Sequence, residues 1–169
     1  MLRRWLAWDA AVSARLRLPE DARWQRGVAA LLAHSGDSWF WLVALGGVGK
    51  AGPAAWRARA WLAFGAVFVT AALVMGLKFV FRRQRPKGTW GQIYRSTDPH
   101  SFPSGHAARG ALLAVLAGGL ISWQVGLGVA VWALAMAAAR VAMGVHYLSD
   151  VVVGFVVGVL MGGLTLTLK

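Results

Sequence analysis

Read from the amino terminus, the chain opens with two short stretches in which charged and apolar residues alternate closely. It then turns into long apolar runs separated by clusters of His, Arg, Asp and Pro. The first stretch, Met1 to Leu18, interleaves Arg3, Arg4, Asp9, Arg15 and Arg17 with Leu and Trp. A cleavable signal needs about 7–15 uninterrupted apolar residues, so this start predicts an amphipathic helix lying in a membrane interface, with Trp5 and Trp8 as anchors. Pro19-Glu20-Asp21 ends it. The second stretch, Trp24 to Ala33, stops at His34-Ser35-Gly36-Asp37, so residues 1–36 form an amphipathic N-terminal segment.

Five apolar runs follow. Ser38 to Val48 is short for a span, because about 20 helical residues are needed to cross the hydrocarbon. Trp61 to Val80 is interrupted only by Lys78. Arg82 to Pro103 is polar and holds Pro86, Pro99 and Pro103, each of which disfavours helix at the preceding residue; it reads as a loop. Ser104 to Trp123, Val125 to Met143 and Leu148 to Leu168 complete the set, the first two joined by a minimal link that implies antiparallel neighbours. The pattern predicts an all-α integral membrane bundle of about five spans with N-terminal interfacial helices, in a single domain over residues 1–169. Counting crossings has a consequence. The end of the second span, the start of the third, the end of the fourth and the start of the fifth must share one membrane face, and most of the unusual polar residues sit at those four ends.

Composition sharpens this picture. Of 169 residues 58% are hydrophobic and 14% charged, against about 45–50% and about 25% in soluble domains. Ten Trp and 21 Gly fit the same solvent, since Trp favours membrane interfaces and Gly is common in spanning helices. The net charge of +12 would suggest nucleic acid in a soluble chain. Here the bases lie between apolar runs, so anionic lipid is the expected partner and nucleic acid is not. There is no Cys, which excludes disulfides, thiolate metal sites and a Cys nucleophile.

Three constellations carry chemistry. In the first, Lys78, Arg82 and Arg85 stand at i, i+4 and i+7 and form one stripe for as long as a helix lasts. Two or three cations on one face suit a phosphate dianion, although a basic collar snorkelling at a helix end has the same pattern. In the second, Pro103-Ser104-Gly105-His106 opens a helix whose free N–H groups can cradle an anion. Ser104 offers a hydroxyl donor and His106 a proton near neutral pH, while a helix-capping Ser beside an interfacial His is the plainer alternative. In the third, Arg140 is followed by His146 and Asp150. One helical turn between His146 and Asp150 lets the carboxylate fix the imidazole tautomer. Arg140 lies about 240° away on a continuous helix, and Gly144 can supply the bend that brings it back. A His–Asp pair holding a turn together is the alternative, set against the rarity of ionisable residues inside membranes without a function.

Together, Lys78-x6-Arg85-Pro86, Pro103-Ser104-Gly105-His106 and Arg140-x5-His146-x3-Asp150 resemble the three-part signature of the type 2 phosphatidic acid phosphatase superfamily, which is shared with vanadium-dependent haloperoxidases. The signature spans residues 78–150. The chain departs from it at Ala139, where the family commonly has Ser, and in its short N-terminal half. The resemblance implies that Lys78, Arg85, Arg140, Ser104 and Gly105 hold phosphate, that His146 oriented by Asp150 attacks phosphorus, and that His106 is the general acid. It implies a metal-independent hydrolase of a lipid phosphate or diphosphate, working through a phosphohistidine, with no cofactor. Arg82 and Arg109 are possible headgroup binders, and Arg82, Arg83, Lys87 and Arg95 are available to a second phosphate or to anionic lipid. A phosphotransferase with the same intermediate and a non-enzymatic lipid-binding protein are the competing functions; the His–carboxylate pair argues against the second. A multi-pass plasma-membrane protein is expected. The family resemblance favours an outward-facing site, whereas the Arg-rich N-terminus and the positive-inside rule favour the cytoplasmic side.

Overall fold

A computed structural model describes residues 1–87 and 98–169. Seven helices account for most of them: α1 (Leu2–Arg15), α2 (Arg23–His34), α3 (Ser38–Ala51), α4 (Ala54–Phe81), α5 (Gly105–Leu120), α6 (Trp123–Ala142) and α7 (Leu148–Leu166). Three are long and apolar enough to cross a membrane, α4, α6 and α7, and α2 with α3 qualify as a fourth if the pair is one span bent by 47°. The expected run at Ser38 to Val48 is therefore a helix that reaches membrane length only together with α2. The expected run at Ser104 to Trp123 is the 16-residue α5, about 24 Å long at 1.5 Å per residue. Its shortness matches its position, because α5 is the central helix and packs on α4, α6 and α7.

Close approach to α5 is achieved by small residues. Gly154, Gly158 and Gly162 recur every four residues on α7 and so share one face. A Cβ at Gly158 would sit 2.0 Å from the Ala108 carbonyl oxygen, and one at Gly154 would sit 2.5 Å from that of Ser104. Spanning helices associate through such small-residue faces because lipid offers no hydrophobic drive between them. Farther along α5, Leu112, Leu113, Leu116 and Leu120 pack with Ala63, Ala66 and Val67 of α4 to form the main apolar core. The opposite faces of α4 and α7 leave Phe68, Phe79, Val80, Val156, Leu160 and Leu164 exposed, as lipid contact requires.

The two N-terminal helices are not peripheral. Ala29 and Ala33 of α2 pack with Ala139, Met143 and Val145 at the end of α6. In α1, Trp5 and Trp8 stay on the outer side, while the opposite face docks on the start of α7. There the Ser13 hydroxyl accepts from Leu148 N–H at 2.9 Å, and the Asp9 carboxylate accepts from the Ser149 N–H at 3.1 Å and hydroxyl at 2.5 Å. The break between α2 and α3 is an elbow over Ser35–Asp37. Trp41 Nε1 donates to the Ser35 carbonyl at 3.1 Å and Trp132 Nε1 to the Ser35 hydroxyl at 2.9 Å.

Candidate active site

The four helix ends that had to share a face surround one cavity of about 130 Å³. Lys78, Arg85, Gly105, His106, Arg140 and His146 line it, with Asp98, Arg109 and Ser38 at its edge and Val74 and Met75 as apolar wall.

The first constellation reaches the cavity by breaking its helix. The chain leaves α4 at Arg82, whose φ of 48° is left-handed, a costly conformation for a residue with a Cβ. The i, i+4, i+7 stripe therefore does not survive. Arg82 points outward and is exposed, with its Nε on the Phe79 carbonyl at 2.9 Å, whereas Arg85 turns back beside Lys78. A short antiparallel bridge between Gln84 and His100, with Ser101 N–H on the Arg83 carbonyl at 2.8 Å, fixes this return. Arg85 is then tied by Nη1 to the Val145 carbonyl at 2.8 Å and by Nε to the Asp98 carbonyl at 2.7 Å. The Asp98 carboxylate lies between the two cations, 2.8 Å from Arg85 Nη2 and ion-paired with Lys78 Nζ.

In the second constellation Ser104 is wholly buried and caps α5, its Oγ accepting from Ala107 N–H at 3.4 Å. Its own N–H donates to the Asp150 carbonyl at 2.9 Å and joins the second motif to the third. Gly105 and His106 form the first turn on the cavity wall. His106 Nε2 stands 2.8 Å from Asp37 Oδ1. A carboxylate only accepts, so that nitrogen carries a proton. One turn on, Arg109 is buried and donates through Nε to the Gly36 carbonyl at 2.7 Å, with its other nitrogens on the same carbonyl and on the Ser38 hydroxyl. Its guanidinium holds the elbow. Gly36 allows this approach, since a Cβ there would meet Met136 at 2.0 Å and His106 at 3.1 Å.

In the third, α6 ends at Ala142 and Gly144 adopts a φ of +66°. This is the bend that brings His146 round to Arg140, and glycine takes it without penalty. His146 Nε2 is 3.3 Å from Arg85 Nη1, and Nδ1 is 3.5 Å from Asp150 Oδ2. A guanidinium only donates, so Nε2 presents its lone pair and the proton belongs on Nδ1, facing the carboxylate. Burial, followed by the positive charges of Arg140, Arg85 and Lys78, pushes the His146 imidazole well below its ordinary pKa, so it is neutral near pH 7. Asp150 is fixed in turn: Oδ2 accepts from Tyr147 N–H at 2.9 Å and Oδ1 from Arg83 Nη1 at 2.7 Å.

Arg83 is engaged here through both terminal nitrogens. Its other nitrogen reaches Asp9 at 2.7 Å, and its guanidinium lies over the Tyr147 ring at 3.9 Å. That differs from its sequence reading as a cation open to phosphate or lipid, because two carboxylates and a ring already surround it. Arg95 lies outside the described residues. Sequence reasoning missed Asp9, Asp37 and Asp98. These are three of the chain's six acidic residues, and their rarity in so apolar a chain was the available signal.

Known proteins resemble the chain in sequence and in fold. The profile of the PAP2 superfamily matches residues 59–169. Decaprenylphosphoryl-5-phosphoribose phosphatase of Mycobacterium tuberculosis is 37% identical over 138 residues, covering 79% of this chain and 74% of that protein. The enzyme of the same name from Mycolicibacterium smegmatis is 38% identical over 129 residues, covering 75% and 69%. Among solved structures, a transmembrane PAP2-type phosphatidylglycerolphosphate phosphatase from Bacillus subtilis superimposes with a TM-score of 0.77 at 24% identity, over 96% of this chain and 85% of the other. Aquifex aeolicus LpxE gives 0.72 at 21%, over 94% and 92%; at such identities these two speak for the fold. With its membrane helices, its three motifs around one cavity and these relatives, the chain belongs to the PAP2 superfamily and is a membrane lipid phosphatase.

Proposed function

We propose that the protein hydrolyses a lipid phosphate monoester through a phosphohistidine on His146. The observation that carries this reading is the placement of the His146 Nε2 lone pair beside Arg85, at 3.3 Å, in a cavity also lined by Lys78, Arg140 and His106. Lys78, Arg85, Arg140 and the Gly105 N–H hold the three non-bridging oxygens and stabilise the charge that gathers there in the transition state. Nε2 attacks phosphorus as the P–O bond to the lipid breaks, and His106 gives its proton to the departing oxygen. The Asp150 carboxylate, 3.5 Å away, balances the positive charge of the substituted imidazole. Water then attacks phosphorus, His106 takes its proton, the P–N bond breaks, and inorganic phosphate leaves with His146 neutral again.

Two features support a monoester. The cavity has room for about one phosphoryl group, and Arg83, which could have met a second phosphate, is held by Asp9 and Asp150. The relatives' names add a phosphorylated sugar on a polyprenyl carrier as the first substrate to test. The Asp98 carboxylate occupies the donors this reading gives to phosphate, so a bound substrate displaces it. Purified enzyme given ³²P-labelled lipid monophosphate and quenched in alkali should carry label that is stable to base and labile to acid, as a phosphoramidate is. Label absent from wild type during turnover would overturn the intermediate. Inorganic phosphate as sole phosphorus product, even with excess alcohol acceptor present, separates hydrolysis from phosphotransfer.

A further inference from the structure

The segment that precedes the family-matched region, residues 1–58, sends one carboxylate to a catalytic histidine. We infer that Asp37, on the α2–α3 elbow, is a positioning residue for proton transfer by His106, which it holds through Nε2 so that Nδ1 is the nitrogen serving the leaving oxygen. This inference rests on the reading of His106 as general acid.

Three observations carry it. Asp37 Oδ1 is 2.8 Å from His106 Nε2, across 69 residues of sequence. The carboxylate is itself oriented, its Oδ2 lying 3.3 Å from His34 Nδ1. The elbow bearing it is clamped from two other helices, by Arg109 of α5 on Gly36 and Ser38 and by Trp132 of α6 on Ser35, and Trp41 of α3 itself turns back onto Ser35. A helix break secured this way places a side chain rather than merely joining two rods.

The chemistry gives the carboxylate a reason to be there. His106 is surrounded by Arg109, Arg140 and His146, and Lys78 and Arg85 line the same cavity. A protonated imidazole among those groups is electrostatically opposed, and Asp37 supplies the compensating negative charge. It also fixes the tautomer. In the acid form both ring nitrogens carry protons, and the one on Nδ1 is transferred. The neutral form that remains keeps its Nε2 proton on Asp37 and exposes the Nδ1 lone pair, which then takes the proton of the attacking water. One carboxylate thus serves both half-reactions.

The test uses the full-length protein in detergent, with single-turnover release of the leaving group from two substrates: a lipid monophosphate, whose alkoxide needs protonation, and an aryl phosphate, whose phenolate does not. Asp37→Asn keeps shape and one hydrogen bond but removes the charge. It should lower release from the lipid about ten- to hundred-fold, by analogy with the loss when the partner orienting a metal-bound histidine is removed. Release from the aryl ester should change several-fold less, and Asp37→Glu should recover much of the difference. A purely structural role would lower both substrates alike. Equal losses in Asp37→Asn, or no loss, while His106→Ala loses the lipid selectively, overturn the role of Asp37 alone. Equal losses in His106→Ala itself overturn the reading of His106 on which it rests. Should Asp37→Asn fail to fold, Asp37→Ser, which also removes the charge, carries the same comparison; a lipid-to-aryl ratio equal to that of wild type would overturn the inference.

Discussion

The two histidines of the cavity are held in mirror-image ways. His146 faces, through Nδ1 at 3.5 Å, a carboxylate four residues on, and presents Nε2. His106 is held through Nε2 by a carboxylate from a distant elbow and is left with Nδ1. In the first pair the contact is local: His146 stands just ahead of α7, whose first turn carries Asp150. In the second, contact depends on an elbow, a glycine and a buried arginine being correct together. A nucleophile needs its partner at every stage, whereas a proton carrier needs a partner that tolerates both of its charge states. The local pair is the harder to disturb, and the distant pair is open to changes in an N-terminal segment that the family profile does not cover.

The comparison breaks most completely at the nucleophile. His146→Ala should abolish phosphoenzyme formation and turnover on lipid and aryl phosphates alike, while the protein still inserts and purifies. Substantial turnover in a folded variant would remove the mechanism. His106→Ala should cost about 10²–10⁴-fold on the lipid, the usual worth of general acid catalysis, and clearly less on the aryl ester in the first step. Steady-state rates can hide this difference because the proposed mechanism also has His106 activate water, so leaving-group release must be followed within a single turnover.

This contrast also marks what the sequence made legible. The apolar helices and the convergence of four helix ends follow from hydropathy and crossing count, and Gly144 announced its bend; of the five expected spans three helices, or four with the bent α2–α3 pair, reach membrane length among the described residues. Arg82 was misplaced because a stripe at i, i+4 and i+7 presumes a helix, and the helix ends at Phe81. Asp9, Asp37 and Asp98 were invisible as partners because their contacts cross 140, 69 and 20 residues, and no local period encodes such pairings. The face of Gly154, Gly158 and Gly162 was written plainly at every fourth position, but its meaning depends on the helix opposite.

A smaller effect sharpens the electrostatics around His146. Burial and the three cations lower its pKa, and its reactive form is the neutral one. The acid limb of kcat/KM set by this group should therefore lie below the ordinary imidazole range near 6.5. Arg140→Gln removes the largest of the charges acting on it, so the limb should move to higher pH, toward that range. The second ionisation of the substrate falls nearby but is common to both enzymes, so the difference between them reports the protein. A limb that stays in place, or moves down, would mean that the cations do not set the charge of His146.

The smallest expected effect concerns Asp98, and its sign is the informative part. In the free enzyme its carboxylate bonds both Lys78 and Arg85, and an incoming phosphate has to replace it on those donors. Two opposite expectations follow from one geometry. If Asp98 chiefly orients the cations, Asp98→Asn should weaken anion binding. If it chiefly competes, the variant should bind anions more tightly, since the cavity becomes more positive by one charge and the rival acceptor is weaker. The structure favours competition for Arg85, because Nη1 on the Val145 carbonyl and Nε on the Asp98 carbonyl hold the guanidinium through backbone atoms that the substitution leaves intact. A charge-assisted hydrogen bond contributes about 1.5–3 kcal/mol, and the asparagine amide recovers part of it. The net change should be roughly three- to tenfold, given that 1.4 kcal/mol is tenfold in affinity. Inhibition by orthovanadate, which imitates five-coordinate phosphorus without depending on lipid dispersion, measures it directly. A lower inhibition constant in Asp98→Asn marks the carboxylate as an occupant of the phosphate site, and a higher one marks it as part of the scaffold that builds that site.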